Sequence, residues 1–342
     1  MIQTSLQELP HGITLSCRTA GDKGRPVLMF LHGFPEAAFV WDVLLEHFAQ
    51  SENGGYRCVA PNLRGLEHSS APADVAAYRA KFLVQDISAL IALECGEASP
   101  PENAKAHPNR ELGPRNWLRQ AAGAAAPSGG RELREANDRG GLACLVAHDW
   151  GGAVAWNIAA SQPQLMNKLV IINSPHPITF VRELKNSAQQ SSSSYMNFLC
   201  RPDAEKLLAE DDYRRLWAFF INMGATSGPH AWLTESVKQQ YRDVWGMGLH
   251  GGCNFYRASP LRPATPEDPA ASAINFPKEM FTVTLPTLVL WGMGDIALPP
   301  ALVDGLEEFV PQMQLERIDG ATHWIVHEQP QLVIGHLEKF LR

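Results

Sequence analysis

The stretch VAHDWGG, residues 146–152, lies between a run of apolar residues and a segment with helical spacing. Its flanking positions Ala147 and Gly151 are small, as a sharp turn from a strand into a helix requires. Such a turn exposes its central side chain at the edge of a sheet, and here that side chain is the carboxylate of Asp149. The stretch therefore predicts a strand–turn–helix unit that presents an aspartate for chemistry.

The composition is ordinary for a globular enzyme. The chain has 342 residues, of which 45% are hydrophobic and 19% charged, and its formal net charge is -7. This length allows one large α/β domain or a core with an inserted subdomain. The sequence holds no block of Lys and Arg and no basic residues interleaved with aromatic ones. We therefore expect neither nucleic acid nor an anionic membrane surface as a partner.

The first twelve residues and the cysteines bear on the cellular compartment. The N-terminus lacks the basic start and apolar core of a secretion signal, and no apolar run approaches the roughly 20 residues that span a bilayer. The six cysteines show no CxxC spacing: they are Cys17, Cys58, Cys95, Cys144, Cys200 and Cys253. We expect a cytoplasmic protein without structural disulfides, metal site or cofactor. The sequence leaves assembly as a homodimer open.

Short apolar runs alternate with amphipathic segments along most of the chain. The predicted strands are residues 13–18, 27–32, 56–60, 142–147, 168–173, 284–292 and 313–318. Helical spacing occurs at residues 38–49 and 80–94, after Trp150, and at the C-terminus. Near-continuous apolar strands between amphipathic helices are typical of an α/β fold with a mostly parallel central sheet covered by helices on both faces.

Two segments interrupt this alternation. Residues 96–141, rich in Ala, Gly, Pro, Arg and Asn, predict a surface insertion that is partly helical around residues 117–122. Residues 174–276 are aromatic-rich and mostly helical in pattern. A helical block between two strands of one sheet predicts a cap over the carboxyl ends of the strands, where open α/β sheets bind ligands. The predicted domains are a core, residues 1–173 and 277–342, and the inserted helical cap.

Three polar residues follow predicted strands and are candidates for catalysis. Asp149 follows one strand, Asp295 in LVLWGMGD follows another, and His323 in IDGATHW follows the last. Their order along the chain is nucleophile, acid and histidine, which is a known order for a hydrolytic triad. Because the carboxyl ends of parallel strands share one edge of a sheet, we expect the three side chains to lie within a hydrogen-bonded relay of each other.

A fourth motif, FLHGFPE at residues 30–36, follows an earlier strand. Its Gly-Phe-Pro turn can direct the backbone N–H of Phe34 towards the site, where the N–H of Trp150 would join it in an oxyanion hole. The turn needs an unusual backbone to do so, and we expect a strained or cis peptide before Pro35.

With these motifs in this order, the chain resembles the epoxide hydrolase branch of the α/β-hydrolase superfamily. HGFP, HDWGG, GxxD and GxxHW occur in the family's order and approximate spacing, and the resemblance covers the whole core apart from residues 96–141. It implies an α/β-hydrolase fold and the hydrolysis of a small hydrophobic epoxide by water to a vicinal diol. HDWGG is shared with haloalkane dehalogenases, so the motifs define the mechanism more firmly than the substrate.

The chemistry of such substrates explains the aspartate. Epoxides and alkyl halides have an sp³ electrophilic carbon, which a carboxylate can attack to form an ester. The resemblance implies that Asp149 is this nucleophile and that its ester carbonyl lies in the oxyanion hole. His323, oriented by Asp295, would then remove a proton from the water that attacks the ester. A serine nucleophile would form an ether, which has no carbonyl carbon for water to attack and would not be hydrolysed.

The resemblance also implies two tyrosines in the cap whose O–H groups donate to the epoxide oxygen. Tyr195 in SSYMNFLCRP and Tyr256 in CNFYRA match the family's sequence contexts. The alternative is that either is a half-buried tyrosine that only packs against the aromatic residues of the cap. Tyr213 and Tyr241 lie among charged residues in helical patterns, and we expect them to face solvent.

Alternative functions remain open at this point. Phe34, Trp150 and Trp324 are expected to contact the substrate. Phe34 stands where many haloalkane dehalogenases have a halide-binding Asn, but the indole of Trp150 could still bind a halide, so a haloalkane or haloacid dehalogenase is the second hypothesis. A fluoroacetate dehalogenase would have Arg at the position of Trp150. A third hypothesis, a non-enzymatic binding protein of this fold, conflicts with the retention of Asp149 and His323.

Overall fold

The computed structural model describes residues 1–96 and 142–342. Their eight strands are β1 (Gln3–Glu8), β2 (Thr14–Ala20), β3 (Val27–Leu31), β4 (Arg57–Pro61), β5 (Leu142–His148), β6 (Leu169–Ile172), β7 (Thr287–Gly292) and β8 (Met313–Ile318). They form one sheet in the order β1-β2-β4-β3-β5-β6-β7-β8. The pairs β1–β2 and β2–β4 are antiparallel and the other pairs are parallel. The predicted mostly parallel sheet is confirmed.

All seven predicted strands are present with small shifts at their ends, and β1 is the strand that the sequence did not indicate. Its sequence QTSLQE has one large apolar residue, Leu6, which is 62% exposed. The strand lies at the edge of the sheet and pairs with β2 along its whole length. Its backbone pairing needs no apolar side chains, so hydrophobic periodicity does not reveal it.

Helices cover the sheet. They are α1 (Asp42–Phe48), α2 (Ala80–Cys95), α3 (Asp149–Ser161), α4 (Pro177–Glu183), α5 (Ser187–Ser192), α6 (Ser194–Leu199), α7 (Ala204–Ile221), α8 (Glu235–Gly246), α9 (His250–Ala258), α10 (Ile325–Glu328) and α11 (Pro330–Leu341). The predicted helix at residues 38–49 begins as a 3-10 turn, Ala38–Trp41, and continues as α1. Within the described ranges, no helix is both long and apolar enough to cross a membrane.

Alternate residues of the central strands pack on opposite faces of the sheet. In β3, Leu28 and Phe30 belong to the core on the side of α1 and α11, whereas Met29 and Leu31 belong to the core on the side of α2 and α3. All four are fully buried. A strand buried on both faces reads as a continuous apolar run, which is why the sequence indicated it.

Six helices, α4 to α9, lie between β6 and β7, in the segment that the sequence assigns to a cap. Division into core and cap stays a prediction. The predicted insertion at residues 96–141, with its helix at 117–122, lies outside the described residues except for Gly96. Helix α7 is interrupted near its middle, where the backbone φ angles of Asp211 and Asp212 are 53° and 52°.

The prediction that Tyr241 faces solvent is wrong, because its side chain is fully buried. Tyr241 lies in α8 three and four residues before the buried Val244 and Trp245, so the helical period places all three on the inward face. The charged neighbours occupy the other face. Tyr213, for which we made the same prediction, is half-buried and packs on the ring of Trp245 at 5.3 Å.

The contact between α3 and β3 generates a stability prediction. A Cβ at Gly151 would collide with the backbone carbonyl oxygen of Leu31, and neither can move without a shift of helix or strand. We expect Gly151→Ala to lower the free energy of unfolding by about 1–3 kcal/mol. Gly335 in α11 is the control, since a Cβ there meets nothing within 4 Å, and Gly335→Ala should raise stability by up to about 1 kcal/mol. Equal effects in urea unfolding would contradict the close approach.

Candidate active site

Asp149 lies in a strained turn between β5 and α3. Its φ angle is 48°, in the left-handed region that residues other than glycine rarely occupy. Two glycines make room for the turn. A Cβ at Gly33 would overlap the Asp149 carboxylate, and a Cβ at Gly152 would overlap the side chain of Ser174. Ser174 in turn donates its hydroxyl to the Asp149 carbonyl oxygen at 2.7 Å.

The turn after β3 directs a backbone donor at this carboxylate. The amide of Phe34 donates to Oδ1 of Asp149 at 2.9 Å, and the peptide bond before Pro35 is cis, as the sequence predicted. The amide of Trp150, predicted as the second donor, makes no hydrogen bond to the carboxylate in the described part of the chain. One predicted oxyanion donor is therefore already in contact with the carboxylate.

His32 stabilises this turn through two hydrogen bonds to the backbone. Its Nδ1 bonds the carbonyl oxygen of Gly33 at 2.7 Å, and its Nε2 accepts from the amide of Leu63 at 3.1 Å. Burial lowers the pKa of His32 to about 4, so the ring is neutral and fits one donor and one acceptor. The histidine of the HGFP motif is a structural residue.

The carboxylate of Asp295 is fixed by four donors. Oδ1 accepts from the amides of Ala297 and Leu298 at 2.9 and 2.8 Å. Oδ2 accepts from Nδ2 of Asn173 at 2.8 Å and lies 2.7 Å from Nδ1 of His323. Because the carboxylate cannot rotate without losing these bonds, it fixes the orientation of the imidazole ring.

His323 connects this carboxylate to Asp149. Its Nε2 lies 3.8 Å from Oδ2 of Asp149. Burial alone would lower the pKa of His323, but the charge and hydrogen bond of Asp295 and the charges of Asp149 and Glu36 raise it to about 9. The structure thus brings the three predicted triad residues together, with the histidine between two carboxylates.

Two supporting residues follow β6 and were not identified from the sequence. Asn173 has a φ angle of 40°, and its side chain bridges the Asp295 carboxylate and the backbone amide of Gly292. Ser174, the next residue, bonds the carbonyl of Asp149. The available signal was their position, since Asn and Ser directly after a buried strand of a parallel sheet lie at the edge that carries the site.

A buried polar cluster lies behind His323. Glu36 bonds His148 at 2.9 Å and His327 at 3.1 Å, and the hydroxyl of Tyr241 lies 2.9 Å from the His327 ring. His148 also bonds the carbonyl oxygen of His323 at 2.9 Å. Burial would raise the pKa of Glu36, but its histidine neighbours hold that pKa well below the usual range. In the described ranges, no group of three or more His, Cys, Asp or Glu residues could hold a metal ion.

Tyr195 and Tyr256 line the same cavities as Asp149. The rings of the two tyrosines meet edge to face, with centroids 6.0 Å apart. Burial raises the pKa of both phenols far above their ordinary value, and the nearby Asp149 charge adds to the effect. Both O–H groups are therefore protonated at neutral pH.

The three aromatic residues predicted to contact substrate lie around this space. The ring of Trp150 is 5.1 Å and that of Phe34 is 5.9 Å from the ring of Tyr256. Trp324 packs at right angles to His323, with centroids 4.6 Å apart, and its indole N–H donates to the carbonyl oxygen of Phe219 at 3.1 Å. All three line cavities that include Asp149.

An aspartate on a strand–turn–helix unit, a histidine–aspartate pair and a mostly parallel sheet define a hydrolase of the α/β class. Comparison with known proteins agrees. The family model described as the alpha/beta hydrolase fold matches residues 26–330, and the chain belongs to this family.

Its relatives include several epoxide hydrolases. The AB hydrolase superfamily protein YfhM of Bacillus subtilis is 30% identical over 338 residues, which cover 97% of this chain and 96% of that protein. Epoxide hydrolase 4 of Mus musculus is 28% identical, over 97% of this chain and 77% of its own length. A crystal structure of Bacillus megaterium epoxide hydrolase with an inhibitor aligns with a TM-score of 0.77 and 26% identity, covering 98% of this chain and 99% of that one. The predicted resemblance is confirmed.

The pKa of His323 generates a prediction of stability against pH. A pKa raised by folding stabilises the protein fully below the ordinary value near 6.5, and this stabilisation is lost as pH rises through about 9. The variant His323→Gln lacks the group. The difference in unfolding free energy between the native chain and this variant should therefore shrink by about 3 kcal/mol from pH 6 to pH 10. A difference that stays constant with pH would contradict the proposed charge environment.

Proposed function

We propose that this hydrolase opens an epoxide to a vicinal diol through a covalent ester on Asp149. The observation that carries the proposal is that two protonated tyrosines, the half-buried Tyr195 and the buried Tyr256, line the same cavities as the Asp149 carboxylate. A carboxylate nucleophile suits an sp³ carbon, and an alkoxide leaving group needs an acid. The relatives named epoxide hydrolase support the same reaction.

In the first step Asp149 attacks a carbon of the epoxide ring. The amide of Phe34 holds Oδ1, whereas Oδ2 accepts no hydrogen bond within the described residues and is the oxygen that attacks. The new C–O bond forms as the ring C–O bond breaks. Tyr195 or Tyr256 gives its proton to the alkoxide, leaving a hydroxyalkyl ester and one tyrosinate.

In the second step water hydrolyses the ester. His323 removes a proton from the water, which attacks the carbonyl carbon of the Asp149 side chain. The resulting oxyanion is Oδ1, already in contact with the amide of Phe34, and we assign the amide of Trp150 as the second donor. Collapse of the intermediate breaks the bond between the carbonyl carbon and Oδ2, and the proton of the added hydroxyl passes to the leaving oxygen. The diol is released, the carboxylate is restored, and His323 keeps the proton from water and so returns to its initial protonated state.

The change in charge at Asp149 prepares the histidine for this second step. In the free enzyme the Asp149 carboxylate helps to hold the pKa of His323 at about 9. Ester formation removes that negative charge, so the pKa of His323 falls and its proton passes to the tyrosinate formed in the first step. The neutral imidazole that remains can act as a base. The base is therefore activated only when there is an ester to hydrolyse.

Replacement of the tyrosines tests the proposed acid. Tyr195→Phe and Tyr256→Phe should each slow the single-turnover consumption of styrene oxide, and the double variant should slow it by about 10²–10⁴-fold because no acid remains. Tyr213→Phe is the matched control, since Tyr213 packs on Trp245 away from these cavities.

A substrate with a different leaving group distinguishes an acid role of the two tyrosines from a role in shaping the pocket. A bromoalkane releases bromide, which needs no proton, so any turnover of it should fall much less in the double variant. Equal losses on the epoxide and the bromoalkane, or no loss on the epoxide, would contradict the acid role. Turnover of bromoalkanes alone by the native chain would favour a dehalogenase.

A further inference from the structure

Two cavities, which we call the inner and outer chambers, share three lining residues: Asp149, Tyr195 and Tyr256. The inner chamber is also lined by Leu83, Trp150, Val154, Phe180, Met196 and Leu261. The outer chamber is also lined by Ser191, Ser192, Ala218, Asn222, His323 and Trp324. An epoxide ring at Asp149 therefore has space beyond it in two directions.

The inner chamber offers apolar walls. Three of its polar side chains make hydrogen bonds to the backbone: Ser174 donates to the carbonyl of Asp149, Asn157 donates through Nδ2 to that of Ala153, and Ser259 accepts from the amide of Leu261. The aromatic and aliphatic side chains that remain, among them Phe180, are largely buried. A substituent in this chamber gains free energy by burying apolar surface.

The outer chamber combines apolar walls, among them Phe219 and Met223, with polar groups that have no protein partners. The side chains of Ser191, Ser192 and Asn222 make no hydrogen bond within residues 1–96 and 142–342. Ser191 and Asn222 are exposed, and Ile296, which also lines this chamber, is 55% exposed, so the polar groups of Ser191 and Asn222 are hydrated in the free protein. An apolar substituent here would displace water from these groups and leave them without a hydrogen-bond partner, which costs free energy. A hydroxyl or carbonyl would displace the water and take over its hydrogen bonds.

On the basis of the proposed function, we propose that the substrate is an epoxide substituted on both ring carbons. Its apolar arm lies in the inner chamber, and a short arm with a hydroxyl or carbonyl lies in the outer chamber. Asn222, with Ser191 and Ser192, is then the determinant of specificity for the polar arm. Ala153, whose side chain lines the inner chamber, limits the size of the apolar arm.

Two probe epoxides test the polar arm. Both carry a phenyl group on one ring carbon; the other carbon carries hydroxymethyl in 3-phenylglycidol and methyl in trans-β-methylstyrene oxide. The native chain should have the higher kcat/KM for the alcohol. Asn222→Leu and the double variant Ser191→Ala/Ser192→Ala should reduce this preference about two- to twelvefold per hydrogen bond lost. Ser194→Ala, an exposed serine outside both chambers, is the matched control and should leave the preference unchanged.

A second variant tests the apolar arm. Ala153→Phe fills the inner chamber, so kcat/KM should fall for both phenyl substrates but much less for glycidol, which has no apolar arm. An equal fall in kcat/KM of Ala153→Phe on all three substrates would overturn this inference. So would a preference for the alcohol that stays unchanged in Asn222→Leu and in the double serine variant. Neither result would contradict epoxide hydrolysis by the native chain. If the native chain hydrolyses none of these epoxides, the proposed function itself fails.

Discussion

The 2.9 Å hydrogen bond from the Phe34 amide to Oδ1 of Asp149 joins the turns that follow two neighbouring strands, β3 and β5. It forms only if both turns come unusually close, and Gly33 and Gly151 leave room where any Cβ would collide. It also makes the two oxygens of the carboxylate different: the backbone holds Oδ1, whereas Oδ2 lies 3.8 Å from Nε2 of His323. In the proposed mechanism, the strained φ angle of Asp149 places its carboxylate for attack on the substrate.

The site also depends on the negative charges on either side of His323. Four hydrogen bonds hold the Asp295 carboxylate on one side of His323. In the proposed mechanism, the charge of Asp149 on the other side is lost when the ester forms. The same residue can thus be nucleophile in the first step and, by losing its charge, release the base for the second. His148 bonds the backbone carbonyl oxygen of His323 and is itself bonded by Glu36.

Most of the fold and the triad were predictable because each depends on local sequence: buried strands have continuous apolar runs, and the triad residues directly follow strands. Residues whose role depends on distant partners were not. Tyr241 looks solvent-facing among charged neighbours, yet its hydroxyl meets Glu36, 205 residues away. Asn173 is likewise defined by its contact with Asp295, 122 residues away. Cytoplasmic location and homodimeric assembly stay predictions.

The covalent ester on Asp149 is tested most directly by one turnover in heavy-oxygen water with enzyme in excess over epoxide. The oxygen delivered to carbon comes from the aspartate, and water replaces it in the side chain. The peptide that contains Asp149 should therefore gain one heavy oxygen while the diol stays unlabelled. Direct attack of water on the epoxide, activated by His323, would place the label in the diol in the first turnover and leave Asp149 unlabelled, which would contradict the account.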